Sequence, residues 1–170
     1  MERLVLTTKA SKDYELIDSG REKKLERYGT VVLARPDPQA LWEKKKGETE
    51  WSAAAARFIR KGKEGEWETK GIPKQWEIEF GNLTFLIRPT SFKHTGLFPE
   101  QLKNWEWATG QIAAAKRPTA VLNLFGYTGG ATLAAAQAGA SVTHVDASKT
   151  AVSWARENAA LSQLADMPIR

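Results

Sequence analysis

The 170 residues suffice for one domain or slightly more, and an apolar content of 42% argues against wholesale disorder. No apolar run approaches the ~20 residues of a membrane span. The absence of cysteine excludes disulfides, thiolate zinc sites and cysteine nucleophiles, and two histidines, His94 and His144, are too few for an ordinary metal site, so no metal is expected. The net charge of +5 permits an RNA partner without demanding one. Met1-Glu2-Arg3-Leu4 lacks the basic-then-apolar pattern of a secretion signal, which points to the cytoplasm. Charge is uneven: residues 1–104 hold 20 basic and 16 acidic residues, residues 105–170 only 5 and 4. A β-rich accessory domain over 1–90 and an α/β domain over 91–170 are therefore expected.

In chain order, Leu4-Val5-Leu6 and Thr30–Ala34 predict strands, the latter stopped by Pro36 and Pro38. Asp37–Trp42, with Pro38 at the first helical position, predicts a single helical turn. Gly65–Thr69 and Gln75–Phe80 alternate apolar with polar as half-buried strands do, and Leu83–Ile87 returns after a turn at Asn82. Lys44-Lys45-Lys46 and Arg57…Lys63 are expected in or beside loops, on a solvated surface. The tryptophans Trp42, Trp51, Trp67 and Trp76 either fill a small β core or offer stacking surfaces to RNA.

From Pro99 the period changes. Leu102, Trp105, Ala108 and Ile112 recur at helical spacing, predicting a helix over Glu100–Ala115. Ala120–Phe125 reads as a buried strand, closed by Gly126-Tyr127-Thr128-Gly129-Gly130. A small-residue helix follows over Ala131–Ala138, with Gly139 as its stop. Ser141–Asp146 predicts a second strand and Thr150–Leu161 a second helix, with Ala151, Trp154, Ala155 and Asn158 on one face. Met167–Arg170 approaches a third strand. Strand, glycine loop, helix, strand, helix, strand is one wall of a parallel α/β sheet.

A glycine loop opening a helix brings backbone amides to a ligand. Asp146, twenty residues after Gly126, ends the next strand, where a carboxylate can accept both hydroxyls of an adenosine ribose. The dinucleotide fingerprint Gly-x-Gly-x-x-Gly would place glycines where Thr128 and Ala131 stand, and no Gly-Lys-Ser/Thr follows. An adenosine ligand without phosphates, S-adenosylmethionine, fits better than a nicotinamide dinucleotide or a nucleoside triphosphate.

Val121–Gly130 resembles the first motif of class I S-adenosylmethionine-dependent methyltransferases, in the bacterial branch that includes large-subunit ribosomal RNA methyltransferases. His144–Lys149 with Trp154–Asn158, and the preceding segment Phe92–Gln101, resemble that branch as well. The resemblance implies a partial Rossmann-like methyltransferase sheet preceded by the β-rich domain. It also implies that Asn123, Phe125, Tyr127, Thr128 and Gly129 line the methionine part of the cofactor. Asp146 would bind the ribose, with Ala147 and Ser148 beside the adenine, and Thr95, Phe98 and Gln101 would close the pocket.

The chain departs from the family where the fourth strand should end in an Asp-Pro-Pro-type motif holding the target base, since no Asp-Pro pair follows Gly126. The adenine-contacting carboxylate at the end of strand three is also absent, Asp166 lying before that strand. The chain thus resembles the N-terminal part of a longer enzyme. No catalytic residue is assigned. Taken alone, the chain is expected to be poorly stable, to bind cofactor weakly or not at all and to transfer no methyl group. The alternative is an RNA-binding or accessory module without catalysis.

Overall fold

The computed structural model describes residues 5–61 and 64–170. The chain divides into a β unit, Lys9–Ile78 with Ile87–Thr95, and an α/β unit formed by the N-terminal residues through Thr8, Glu79–Leu86 and Gly96–Arg170.

The β unit is built on a five-stranded sheet in the order β1 (Tyr14–Gly20), β2 (Lys23–Tyr28), β3 (Val31–Pro36), β4 (Ala56–Lys61) and β5 (Glu64–Thr69). Neighbours run antiparallel except β3 and β4, which pair parallel through Leu33 with Ala56 and Ala34 with Arg57. On one face Leu25, Ala34, Trp51 and Ala54 form an apolar cluster, with Trp51 delivered by the short helix α1 (Glu48–Ser52). Trp51 Nε1 donates to Asp18 Oδ2 at 2.9 Å, and the same carboxylate receives the backbone N–H groups of Lys45 and Lys46. Lys44 lies 4.1 Å over the Trp51 ring and pairs with Glu48 at 3.1 Å, so this lysine of the basic run packs against the unit.

Several expectations are corrected here. Val5 and Leu6 are exposed coil, not strand, and Leu4 lies outside the described residues. Asp37–Trp42 forms a turn in place of a helix: Ala40 N–H donates to the Asp37 carbonyl, and Asp37 Oδ1 accepts from Gln39 N–H. That local side-chain bond offers the backbone a closed turn that competes with helix propagation. Arg57–Lys61 is strand β4, and Lys63 lies outside the described residues. Trp51 is core, Trp67 and Trp76 are half-buried, and Trp42 is exposed.

The opposite face of the sheet holds a buried polar cluster. Glu26 is 0% exposed, and Arg35 Nε donates to its Oε2 at 2.6 Å while Arg35 Nη2 reaches Oε1 at 3.1 Å. The hydroxyls of Tyr14 and Tyr28 donate to Glu26 Oε1 at 3.1 and 3.2 Å. Burial alone would raise the Glu26 carboxyl, but Arg35 beside it and these donors hold it below the ordinary glutamate range.

Strands β6 (Trp76–Phe80) and β7 (Leu83–Ile87) pair around the turn Gly81-Asn82, both residues at positive φ. The tip of this pair belongs to the α/β unit, where Phe85 stacks on Trp105 at 5.8 Å and Phe80 meets it edge-on at 6.1 Å. Trp105 sits on helix α2 (Leu102–Ala115), which a short 3-10 turn over Pro99–Gln101 precedes. Strand β8 (Ala120–Leu124) pairs parallel with β9 (Ser141–Val145) in the register Ala120 to Ser141. Helix α3 (Gly130–Gln137) connects them, and helix α4 (Lys149–Leu161) leads to a parallel bridge from Val142 to Ile169. Ala135, Ala136, Ala140 and Val142 form the core between α3 and the sheet, and small side chains permit that close approach.

This is the Rossmann-like order expected, with one correction. Strand β8 is not a buried strand: Leu122 is 63% exposed, Leu124 55% and the following Phe125 90%. Among the described residues β9 is its sole strand partner.

Removing one member of the buried ion pair should be costly. Glu26→Ala is expected to lower stability in urea by about 3–5 kcal/mol, whereas Glu26→Leu with Arg35→Met should cost much less than two single losses. Because folding depresses the Glu26 pKa, its contribution is complete above the ordinary glutamate value of about 4.5 and is lost as pH falls through the lower folded value. Urea midpoints between pH 6 and 3 check this: the wild type should lose stability faster than the apolar double variant.

Candidate functional site

The turn from β8 into α3 is the most constrained backbone of the α/β unit. Phe125 and Tyr127 both take positive φ, 56° and 49°, flanking Gly126, and Gly129 (φ 93°) caps α3. Such conformations cost non-glycine residues energy and persist only when neighbours hold them. Gly126 N–H donates to the Val145 carbonyl and Gly129 N–H to the Gly126 carbonyl, both at 3.0 Å. Tyr127 N–H donates to Asp146 Oδ2 at 2.9 Å.

Asp146 therefore ties the glycine loop to the end of β9. Its other oxygen accepts from Ser148 N–H at 2.8 Å, and Ser148 Oγ accepts from Ala151 N–H to cap α4. Ser148 N–H and then Tyr127 N–H hold the Asp146 carboxyl below the ordinary aspartate range, so it is ionised at neutral pH. An ionised carboxylate is acceptor-only with about four lone-pair sites, and two are used here. The remaining capacity suits a vicinal diol.

Thr128 is buried. Its hydroxyl donates to the Gly96 carbonyl at 2.6 Å, and its own carbonyl accepts from Asn158 Nδ2 at 2.9 Å. Gly96 N–H donates to the Tyr127 hydroxyl at 3.2 Å. These bonds hold the segment Gly96-Leu97-Phe98 against the loop, and the Phe98 and Tyr127 rings lie 4.9 Å apart. The segment and the loop line a cleft of about 320 Å³ together with Gln101, Trp105, Asn123 and Leu124, within the size range of small-molecule sites. Asn123 Nδ2 donates to Thr132 Oγ1, which shares a hydrogen bond with His144 Nδ1 at 2.8 Å. Burial pushes the His144 imidazole below the ordinary histidine value, with Asp146 opposing.

Of the residues expected to hold a cofactor, the cleft brings together Phe98, Gln101, Asn123, Phe125, Tyr127 and Thr128. Gly129 lies in the loop as the α3 cap, Asp146 is joined to the loop through Tyr127, and Ala147 and Ser148 follow it as exposed residues. Thr95 belongs to the β unit, where it is buried and its carbonyl accepts from Arg88 N–H. Leu97, Trp105 and Ala131 also line the cleft and were not expected there; the helical spacing of Trp105 signalled only core. Among the described residues no group of histidines and carboxylates could hold a metal ion, and no helix is long and apolar enough to cross a membrane.

Two glycines of this region are fixed by space. A Cβ on Gly126 would meet the His144 imidazole, with Nδ1 at 2.5 Å, and one on Gly130 would enter the Trp105 indole, with Cη2 at 2.7 Å. Gly110, inside α2, has nothing within 4 Å of its would-be Cβ. Gly126→Ala should therefore destabilise by about 1–3 kcal/mol through overpacking. Gly110→Ala should stabilise by up to about 1 kcal/mol through helix propensity. Urea denaturation of the two variants checks the opposite signs.

No family model matches the chain. Curated relatives named ribosomal RNA large subunit methyltransferase K/L are similar over about two thirds of it. The Alteromonas mediterranea protein is 34% identical over 113 residues, and the Ectopseudomonas mendocina protein is 37% identical over 120; each alignment covers 66% of this chain and 16% of the relative. A crystal structure of an S-adenosylmethionine-dependent methyltransferase from Agrobacterium tumefaciens is 45% identical with a TM-score of 0.92, covering 99% of this chain and 54% of that one. A candidate methyltransferase from Streptococcus mutans, 18% identical with a TM-score of 0.67 over 91% of this chain and 44% of its own, shares the fold. The chain thus spans about half the length of the first structure and about a sixth of the curated relatives. The resemblance to S-adenosylmethionine-dependent methyltransferases of the ribosomal RNA branch is borne out by these similarities.

Proposed function

We propose that this chain carries the cofactor-binding portion of an S-adenosylmethionine-dependent methyltransferase acting on RNA, with a ribosomal RNA base as its target. The observation that carries this reading is the Phe125–Thr128 loop, which lines one cleft with Phe98 and is tied through the Tyr127 amide to the Asp146 carboxylate at the end of β9. The residues fit the cofactor. Asp146 has acceptor capacity left for the ribose hydroxyls, and Phe98 and Tyr127 offer ring faces that favour a cationic sulfonium. Thr128, standing where a dinucleotide fingerprint needs glycine, has its hydroxyl committed to the Gly96 carbonyl. When bound, the cofactor supplies a methyl group to a nucleophile and leaves as S-adenosylhomocysteine.

The chain's own residues bind and orient. Thr128 and Asn158 fix the loop, Phe98 and Gln101 flank the cleft, and Asn123 is held by Thr132 at its floor. No residue here is assigned to the target base, because no Asp-Pro-Pro-type motif occurs in these 170 residues. On its own the chain is therefore expected to bind without transferring methyl groups. The likeness to named ribosomal RNA methyltransferases supports RNA as the target class.

Calorimetry with S-adenosylhomocysteine tests the cofactor assignment. Asp146→Ala should weaken binding roughly ten- to a hundred-fold, the loss expected for hydrogen bonds to a charged acceptor. Unchanged affinity would remove Asp146 from the site. Tighter binding of NAD than of S-adenosylhomocysteine would overturn the ligand class.

A further inference from the structure

The β unit carries a concentration of positive charge that cofactor binding leaves unused. Lys24 stands opposite Arg35 across β2 and β3, so the two share a sheet face. Leu33 stands opposite Ala56, and even spacing along β3 and β4 places Arg35 and Arg60 on that same face. A turn over Thr90–His94 packs against it. Trp67 Nε1 donates to the Thr90 carbonyl at 2.8 Å and Gly65 N–H to the Ser91 carbonyl at 3.0 Å. Within the turn Lys93 N–H donates to the Thr90 carbonyl and Thr90 N–H to the His94 carbonyl. Lys93 Nζ donates to the Pro36 carbonyl, and the Lys93 carbonyl accepts from Arg35 Nη1, both at 3.2 Å.

The buried Glu26 carboxylate is committed to Arg35, with Lys24 at 3.5 Å. Arg60 is exposed. Partial burial lowers the Lys93 ammonium below the ordinary lysine value, as do Arg60, Arg35 and Lys24, with Asp37 the opposing charge. Burial and then Arg35, Lys93 and Lys24 act on His94 in the same direction. Lys24, Arg60 and Lys93 thus gather around the buried Arg35, and among the described residues that act on them the carboxylates are Glu26, committed to Arg35, and Asp37. Phe92, at the tip of the turn, is 56% exposed beside Lys93.

Cations in excess of the described carboxylates on a hydrogen-bonded scaffold, with an exposed aromatic next to Lys93, match a polyanion that also presents flat apolar faces. We propose that this surface of the β unit grips single-stranded RNA, with Lys24, Arg60 and Lys93 neutralising backbone phosphates and Phe92 stacking on a base. The proposal rests on RNA being the target class and adds where the chain holds it. Arg35 positions the turn through the Lys93 carbonyl and is itself pinned by Glu26, so the phosphate contacts are organised before RNA arrives.

The test is fluorescence anisotropy of the 170-residue chain with a fluorescein-labelled single-stranded oligoribonucleotide of mixed sequence, across a salt series. Arg60→Gln with Lys93→Gln should reduce the slope of log affinity against log salt by about 1.4, or about 0.7 per lost phosphate contact on a single strand. Phe92→Ala should weaken binding roughly five- to a hundred-fold and leave the slope unchanged. Lys93→Arg should retain the wild-type slope. Lys45→Gln, which removes the same charge elsewhere in the β unit, should leave affinity nearly intact. Wild-type RNA binding that the Arg60, Lys93 and Phe92 variants leave unchanged, or that Lys45→Gln weakens equally, overturns the surface while sparing the RNA assignment. A chain that binds S-adenosylhomocysteine but no RNA overturns the RNA assignment, and the surface with it.

Discussion

The α/β unit depends on one buried amide. Asn158, 0% exposed on α4, accepts Leu86 N–H at its Oδ1 and donates from its Nδ2 to the Thr128 carbonyl, each at 2.9 Å. It satisfies two backbone groups that water cannot reach, and leaving such groups unpaired costs about 1–3 kcal/mol each. One turn earlier Trp154 Nε1 donates to the Leu86 carbonyl, so α4 grips both polar groups of that β7 residue. The end of the β6–β7 pair, the glycine loop and α4 are thereby one hydrogen-bonded body. The other end of α4 closes the circuit, because its Ser148 cap and the loop's Tyr127 amide share the Asp146 carboxylate. A ligand touching Asp146 touches the element that holds the loop in place.

The same bonds explain how the loop tolerates its conformation. Two aromatic residues at positive φ would ordinarily be replaced by glycine or asparagine. Here Gly126 between them lets the backbone approach the His144 ring, while Tyr127 is held at its amide by Asp146 and at its hydroxyl by Gly96 N–H. The strain places the Phe98 and Tyr127 rings together at the cleft.

Much of this was legible in the sequence where pattern and chemistry coincide. β8, α3, β9 and α4 lie within a residue or two of their expected bounds because hydrophobic period, the glycine loop and the Gly139 stop agree. The carboxylate of Asp146 was placed by order alone. The β unit hid more. β1, β2 and β3 carry Glu, Asp, Lys and Arg at positions that look solvated, yet Asp18, Glu26 and Arg35 are buried because each finds polar partners on another element. The β1–β2 hairpin turns on Arg21 and Glu22, both at positive φ, without the glycine or asparagine that normally announces such a turn. Leu122 and Leu124 misled in the other direction, since an apolar run reports what a strand can bury and not what lies against it. Asn158 appeared only as one position on a helix face; its role needs a tertiary partner that no local pattern encodes.

The Glu26–Arg35 pair also sets which strand alignment the β unit accepts. In the observed register Glu26 faces Leu33 and Lys24 faces Arg35 across the β2–β3 ladder, with the carboxylate meeting the guanidinium on the diagonal. Sliding β2 by one residue would turn Glu26 to the Trp51 side and strand Arg35 in the interior without its counter-ion. Sliding it by two would keep the faces correct and still separate the charges. Apolar alternation penalises the first error and is blind to the second, whereas a desolvated ion pair penalises both. The sheet is thus proofread by charge, and the Thr90–His94 turn receives its bond from Arg35 through the Lys93 carbonyl.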